Sequence, residues 1–147
     1  MRRLLCFLVL CVGMMFCLTS CGISDWSYEL LPGDYEIWRV NSHCIVLGRQ
    51  NGESGLSHVM DTYVYAFCYN QRFIGIHGLD TGDDDVSADV DIRQAYKNHA
   101  VYFLVDTQTH GVYGPLTWEG YAEMLVMQQV EGMCDWIETF PKPDGAV

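Results

Sequence analysis

The alternation in "TYVYAFCYN", residues 62–70, constrains the fold more than any other stretch of this chain. Tyr63, Tyr65, Phe67 and Tyr69 fall at every second position, with Val64, Ala66 and Cys68 between them. A period of two places successive side chains on opposite faces of a strand. Both faces are apolar here, which predicts a central strand. Asn70-Gln71 supplies a turn, and "RFIGIHG" then returns as a second strand. Such a hairpin commits the chain to an antiparallel sheet.

Two further pairs follow the same logic. "YEIWRV" and "HCIVLG" flank Asn41-Ser42 after the turn signal "LPGD", and a polar loop, "RQNGESG", follows at 49–55. "AVYFLVD" and "VYGPL" flank the loop "TQTHG", and Pro115 limits the second of them. Between the second and third pairs lies an acidic stretch, "LDTGDDDVSADVD" at 79–91, with a short helical piece expected over 92–97. Thr117 suits a helix N-cap, and Glu119 and Glu123 suit the dipole at a helix start. Trp118, Tyr121, Ala122, Leu125, Met133 and Ile137 recur at helical spacing, so one helix is expected through this region, weakened near its end by Gly132. The expected fold is α+β: an antiparallel sheet of about five to six strands built from successive hairpins, with one C-terminal helix packed on it. Trp118 and Tyr121 of that helix are expected to cover the aromatic stripe 63/65/67/69.

The N-terminus reads as an export signal. Arg2 and Arg3 precede an apolar run, Leu4 to Phe16, which is short for a membrane span of about 20 residues. Leu18-Thr19-Ser20-Cys21 resembles the bacterial lipobox, in which cleavage after a small residue (Ser20) exposes a cysteine (Cys21) that is lipidated. Several acyl chains anchor a protein stably where one is marginal. The expected organisation is a cleaved leader over 1–20, an anchor and short tether over 21–31, a single globular domain over 32–140 and a flexible tail over 141–147. The protein is then held at a bacterial membrane, facing away from the cytoplasm.

Charge narrows the partners. The chain has 19 acidic and 8 basic residues, a formal net charge of −11, and loss of Arg2 and Arg3 with the leader sharpens the imbalance. Such a surface repels nucleic acid and favours a basic partner or a cation. Of seven cysteines, Cys6, Cys11, Cys17 and Cys21 belong to the leader and anchor. Cys44, Cys68 and Cys134 match no zinc spacing. Isolated, apolar-flanked cysteines are most often buried free thiols. If two pair in an exported protein, Cys44 and Cys68 are the preferred candidates, since both fall in strand-like runs.

Two segments, "YELLPGDYEIWRVNSHCIVL" and "YFLVDTQTHGVYGPLTWEGY", resemble a family of small bacterial lipoproteins of unknown function. The resemblance marks Arg39, Asn41, Ser42, His43, Asp106, Tyr113, Gly114 and Pro115 as motif positions. It implies the anchor and the architecture, and no reaction.

The remaining chemistry is sparse. His43 beside Cys44 suggests a base and a thiol nucleophile, yet adjacent strand residues face opposite ways. Asp80, Asp83, Asp84, Asp85, Asp89 and Asp91 offer oxygen ligands for calcium, with Asp83, Asp85 and Asp89 the foremost candidates, but the glycine and closing glutamate of an EF-hand loop are missing. No GxSxG, P-loop, GxGxxG or HExxH occurs. The leading expectation is a non-enzymatic binding or protein-interaction domain, needing no cofactor, at the cell envelope. The alternatives are a small hydrolase using His43 or His77 with nearby carboxylates, and a calcium-dependent module using the acidic loop.

Overall fold

The computed structural model describes residues 26–30, 32–41, 44–52, 55–60, 62–79, 100–140 and 142–147. In chain order the elements are β1 (Trp26–Glu29), β2 (Tyr35–Asn41), β3 (Cys44–Gln50), β4 (Leu56–His58), β5 (Tyr63–Tyr69), β6 (Phe73–Leu79), β7 (Ala100–Asp106), β8 (Gly111–Leu116), α1 (Trp118–Met127) and β9 (Ile137–Glu138). The three hairpins read from the sequence are β2–β3, β5–β6 and β7–β8, all antiparallel. The class is α+β, but the strands form two sheets rather than one of five to six. One has the order β1-β2-β3-β4 and the other β8-β7-β6-β5-β9. The reason lies in residues 56–58: β4 takes the open edge of β3, with Arg49 opposite Ser57, so β5 has to begin a new sheet.

The two sheets pack through their apolar inner faces. Trp26, Leu30, Tyr35, Ile37, Ile45 and Leu47 meet Phe67, Ile74, Ile76, Leu79, Phe103 and Val105. Each such buried side chain stabilises the fold by roughly 1.5–3 kcal/mol. The aromatic stripe is split, which corrects the expectation that the helix covers it. Tyr63, Phe67 and Tyr69 join the core between the sheets, where Tyr28 stands 5.1 Å from Phe67 and 6.5 Å from Tyr69. A register shift between Val64 and Ala66 breaks the alternation and places Tyr65 beside His77, ring centroids 5.9 Å apart.

The helix covers the outer face of the second sheet. Tyr121 is buried against Phe73 and Leu104, with Met124, Leu125, Val130, Met133 and Trp136 around it. Thr117 caps the helix as expected, its Oγ1 accepting the Gly120 N–H at 3.2 Å. Gly75 permits the close approach: a Cβ there would overlap the Tyr121 hydroxyl and lie 2.7 Å from Cys68 Sγ.

The helix stops at Met127, ten residues long, well before Met133 and Ile137. Gln129 takes a left-handed conformation, φ 53°. The Gln129 N–H then donates to Val126 O at 3.1 Å and the Val130 N–H to Leu125 O at 2.9 Å, a Schellman closure. The chain turns back along β5. The Cys134 N–H donates to Tyr69 O at 3.0 Å and the Thr139 N–H to Tyr65 O at 2.9 Å, while Ile137 pairs with Phe67 and Glu138 with Ala66.

Both ends of the domain are more ordered than expected. Part of the proposed tether is β1, with Trp26 in the core. The proposed flexible tail is tied to β1, because Ser27 and Val147 exchange two backbone hydrogen bonds of 2.9 Å. No described helix is long and apolar enough to cross a membrane.

Candidate functional site

One row of paired residues runs across the second sheet: Glu138 opposite Ala66, Ala66 opposite His77, His77 opposite Tyr102, and Tyr102 opposite Leu116. Residues opposite each other in a ladder present their side chains on one face. The small Ala66 between Glu138 and His77 lowers the floor. Trp118 from the first turn of α1 and Trp136 from the segment before β9 form the walls, and Tyr65 closes one side. The result is a cleft of about 340 Å³ lined by Tyr65, Ala66, His77, Tyr102, Trp118, Trp136 and Glu138.

The aromatic geometry is dense. His77 stacks on Tyr102 at 4.3 Å and meets Trp136 edge-on at 5.9 Å. Tyr102 stands edge-on to Trp118 at 5.3 Å and to Trp136 at 6.3 Å. Edge-to-face and offset arrangements at these separations are the favoured ones for ring quadrupoles. Trp118 nevertheless keeps 51% of its surface exposed, so part of the indole is presented to solvent. Burial lowers the His77 pKa from 6.5 to about 4, which leaves the imidazole neutral at neutral pH. Burial raises the Tyr102 hydroxyl, helped by Glu119.

A general base works best with a pKa near the operating pH, and His77 is far below it. The described lining contains no serine, threonine or cysteine to act as a nucleophile. Among the described residues, no group of three His, Cys, Asp or Glu side chains is placed to hold a metal ion.

The residues singled out from sequence are scattered. Asp106, at the end of β7, is 1% exposed and receives Arg72 through Nε to Oδ1 at 3.1 Å and Nη2 to Oδ2 at 2.7 Å. Arg72, with the Gln108 N–H, holds the Asp106 carboxyl down at about 2. This pair clamps the start of β6 to the end of β7. Tyr113 packs beside Leu104 under the helix. Gly114 has φ 148°, and a Cβ there would overlap the Phe103 ring and lie 2.8 Å from Tyr102 O, so glycine is required. Pro115 follows it through a cis peptide bond on the edge strand β8. Arg39 lies in β2 between Trp26 and Ile45 and acts on Tyr63. Tyr63 pairs with Leu79 and Leu79 with Ala100, whereas Phe73 pairs with Asp106, so Arg39 and Asp106 belong to opposite ends of the sheets. Asn41 pairs with Cys44 at the end of the first hairpin.

Cys44, Cys68 and Cys134 are free thiols. The proposed Cys44–Cys68 pair is corrected: Cys68 faces the helix, its Sγ 3.8 Å from the Tyr121 hydroxyl, whereas Cys44 belongs to the other sheet. Burial pushes the Cys68 thiol up to about 12 and raises that of Cys44, the reverse of an activated nucleophile. Ser20, Cys21, Ser42, His43 and the acidic loop with Asp83, Asp85 and Asp89 lie outside the described residues.

A second, wider groove of about 640 Å³ runs between the β5–β6 turn and the end of α1, lined by Asn70, Arg72, Gln128 and Glu131 among others. Its Asn70 and Arg72 are engaged within the fold: the Asn70 amide donates to Glu131 O at 2.7 Å and Arg72 binds Asp106. The aromatic cleft is therefore the better candidate.

Residues 32–133 match the family described as "Protein of unknown function (DUF3997)", which covers well over half of the chain. The chain belongs to that family. No curated protein and no solved structure matches it. The DUF3997 match includes Tyr65, Ala66, His77, Tyr102 and Trp118 of the cleft and ends at Met133, so Trp136 and Glu138 complete the site from just beyond it. The sequence reading named His77 and saw Trp118 and Tyr65 as packing residues. It missed Tyr102, Trp136 and Glu138, which become neighbours only through strand register.

Proposed function

We propose that this DUF3997 protein is an exported, non-enzymatic binding domain, anchored through lipid at Cys21 on the outer side of a bacterial membrane, and that the aromatic cleft receives its partner. The cleft carries the reading: two tryptophans and two tyrosines surround a neutral histidine, and half of Trp118 is left exposed. Tyr and Trp are favoured where one side of a ring is packed and the other meets a partner. The leader and the lipobox-like "LTSC" support the location, and the acidic balance of −11 argues against nucleic acid as the partner.

In-cell photo-crosslinking tests the binding reading directly. A photoreactive residue in place of Trp118 should give a discrete adduct, while the same residue at Val112, exposed on β8, should give none. Adducts from Val112 and none from Trp118 would overturn it. The intact mass of the membrane-extracted chain tests the anchor: a chain starting at Cys21 with acyl mass is expected, and a chain starting at Met1 would contradict it.

A further inference from the structure

We infer that the aromatic cleft seats the cationic end of an arginine or lysine side chain, presented by a basic segment of a protein partner. This rests on the binding reading above and adds the chemistry of what is bound.

The observations converge from different directions. Cations are attracted to ring faces, most strongly to indole, and the attraction grows when the site is partly desolvated. Here Trp118, Trp136, Tyr102 and Tyr65 provide four rings around one space, and Glu138 stands at the end of the same row. Among the described residues, no lysine or arginine lines the cleft. Among the described residues, the titratable groups around His77 include Tyr65 from β5, Tyr102 from β7 and Glu138 from β9, with Glu119 of α1 acting on Tyr102. None is cationic, and His77 itself carries no charge at neutral pH. Among the described residues, an incoming guanidinium or ammonium group therefore meets π faces and the Glu138 carboxylate.

Size and net charge agree. A space of about 340 Å³ is at the small end of binding pockets, which suits one long side chain rather than a folded surface. The aliphatic stem of Arg or Lys would lie along the rings while its head reaches Glu138. At longer range, 19 acidic against 8 basic residues steer a basic segment toward the domain. An anionic occupant would face Glu138 and that overall charge, and a neutral saccharide would gain nothing from the net charge.

The test is calorimetric titration of the full chain, extracted from membranes in detergent, with four probes: a short Gly/Ser peptide containing arginine, the same peptide with glutamine for arginine, the same with glutamate, and a neutral N-acetylglucosamine oligosaccharide. The arginine peptide should bind, and the glutamine and glutamate versions should bind about tenfold more weakly or not at all. Trp118→Ala should weaken the arginine peptide by about tenfold, and Glu138→Gln should weaken it several-fold while leaving the weak glutamine peptide unchanged. Both residues are exposed, so the thermal midpoint should stay near that of the parent chain and loss of binding cannot be ascribed to unfolding. Equal binding of the glutamine and arginine peptides overturns the inference, as does binding of the oligosaccharide alone or of no probe. Persistence of the Trp118 crosslink with no arginine-peptide binding would overturn the cation assignment and leave the binding reading standing. Loss of both would remove both.

Discussion

At the scale of single residues, His77 is where burial and electrostatics meet. Its pKa of about 4 in the folded chain lies below the 6.5 of an unfolded one. Between those values the unfolded chain takes up a proton that the folded chain does not, so stability falls as pH drops through that window and levels off below it. The loss should be on the order of 2 kcal/mol. Denaturant unfolding at a series of pH values checks it: His77→Phe, which fills the space without titrating, should lose this part of the slope. An unchanged slope would mean that His77 is not buried neutral. Asp106 acts in a lower and separate window. Its folded value of about 2 lies below 3.8, so its stabilisation is present above 3.8 and is lost only as pH falls toward 2.

At the scale of elements, the helix end and the strand that follows decide whether the cleft exists. Met133 and Ile137 fit the helical spacing of Trp118, Tyr121 and Leu125, so periodicity alone carries the helix past its true end. It stops because Gln129 is left-handed and the Schellman bonds close, with Val130 and Leu125 in the same apolar cluster. Glycine is the residue that usually marks such a position, and its absence hid the stop from sequence. Gln129→Gly should therefore stabilise the protein, by about 1 kcal/mol, since a non-glycine residue costs energy in that conformation. Thermal unfolding would register this as a higher midpoint, and a lower midpoint would contradict the closure. Other elements were legible. Alternation exposed β5 and β6, and Thr117 exposed the start of α1. The cleft was not, because positions 66, 77, 102, 118, 136 and 138 are adjacent only through register, and the shift after Val64 turns Tyr65 against its own alternation.

At the scale of the whole molecule, the two sheets divide the work. The first sheet, with the core-facing half of the second, builds the apolar interior, while the outer half of the second carries the helix and the cleft. The four tryptophans follow that division: Trp26 and Trp38 lie in the first sheet, and Trp118 and Trp136 line the cleft. Their indole N–H signals therefore report on the central claim, with the first pair as an internal control. The deciding measurement is a ¹H–¹⁵N titration of the full chain with the arginine peptide at neutral pH. Saturable shifts of the Trp118 and Trp136 indoles, with Trp26 and Trp38 unmoved, are the predicted result. Shifts confined to Trp26 or Trp38, or no indole shift at all, would contradict the assignment of the aromatic cleft as the binding site.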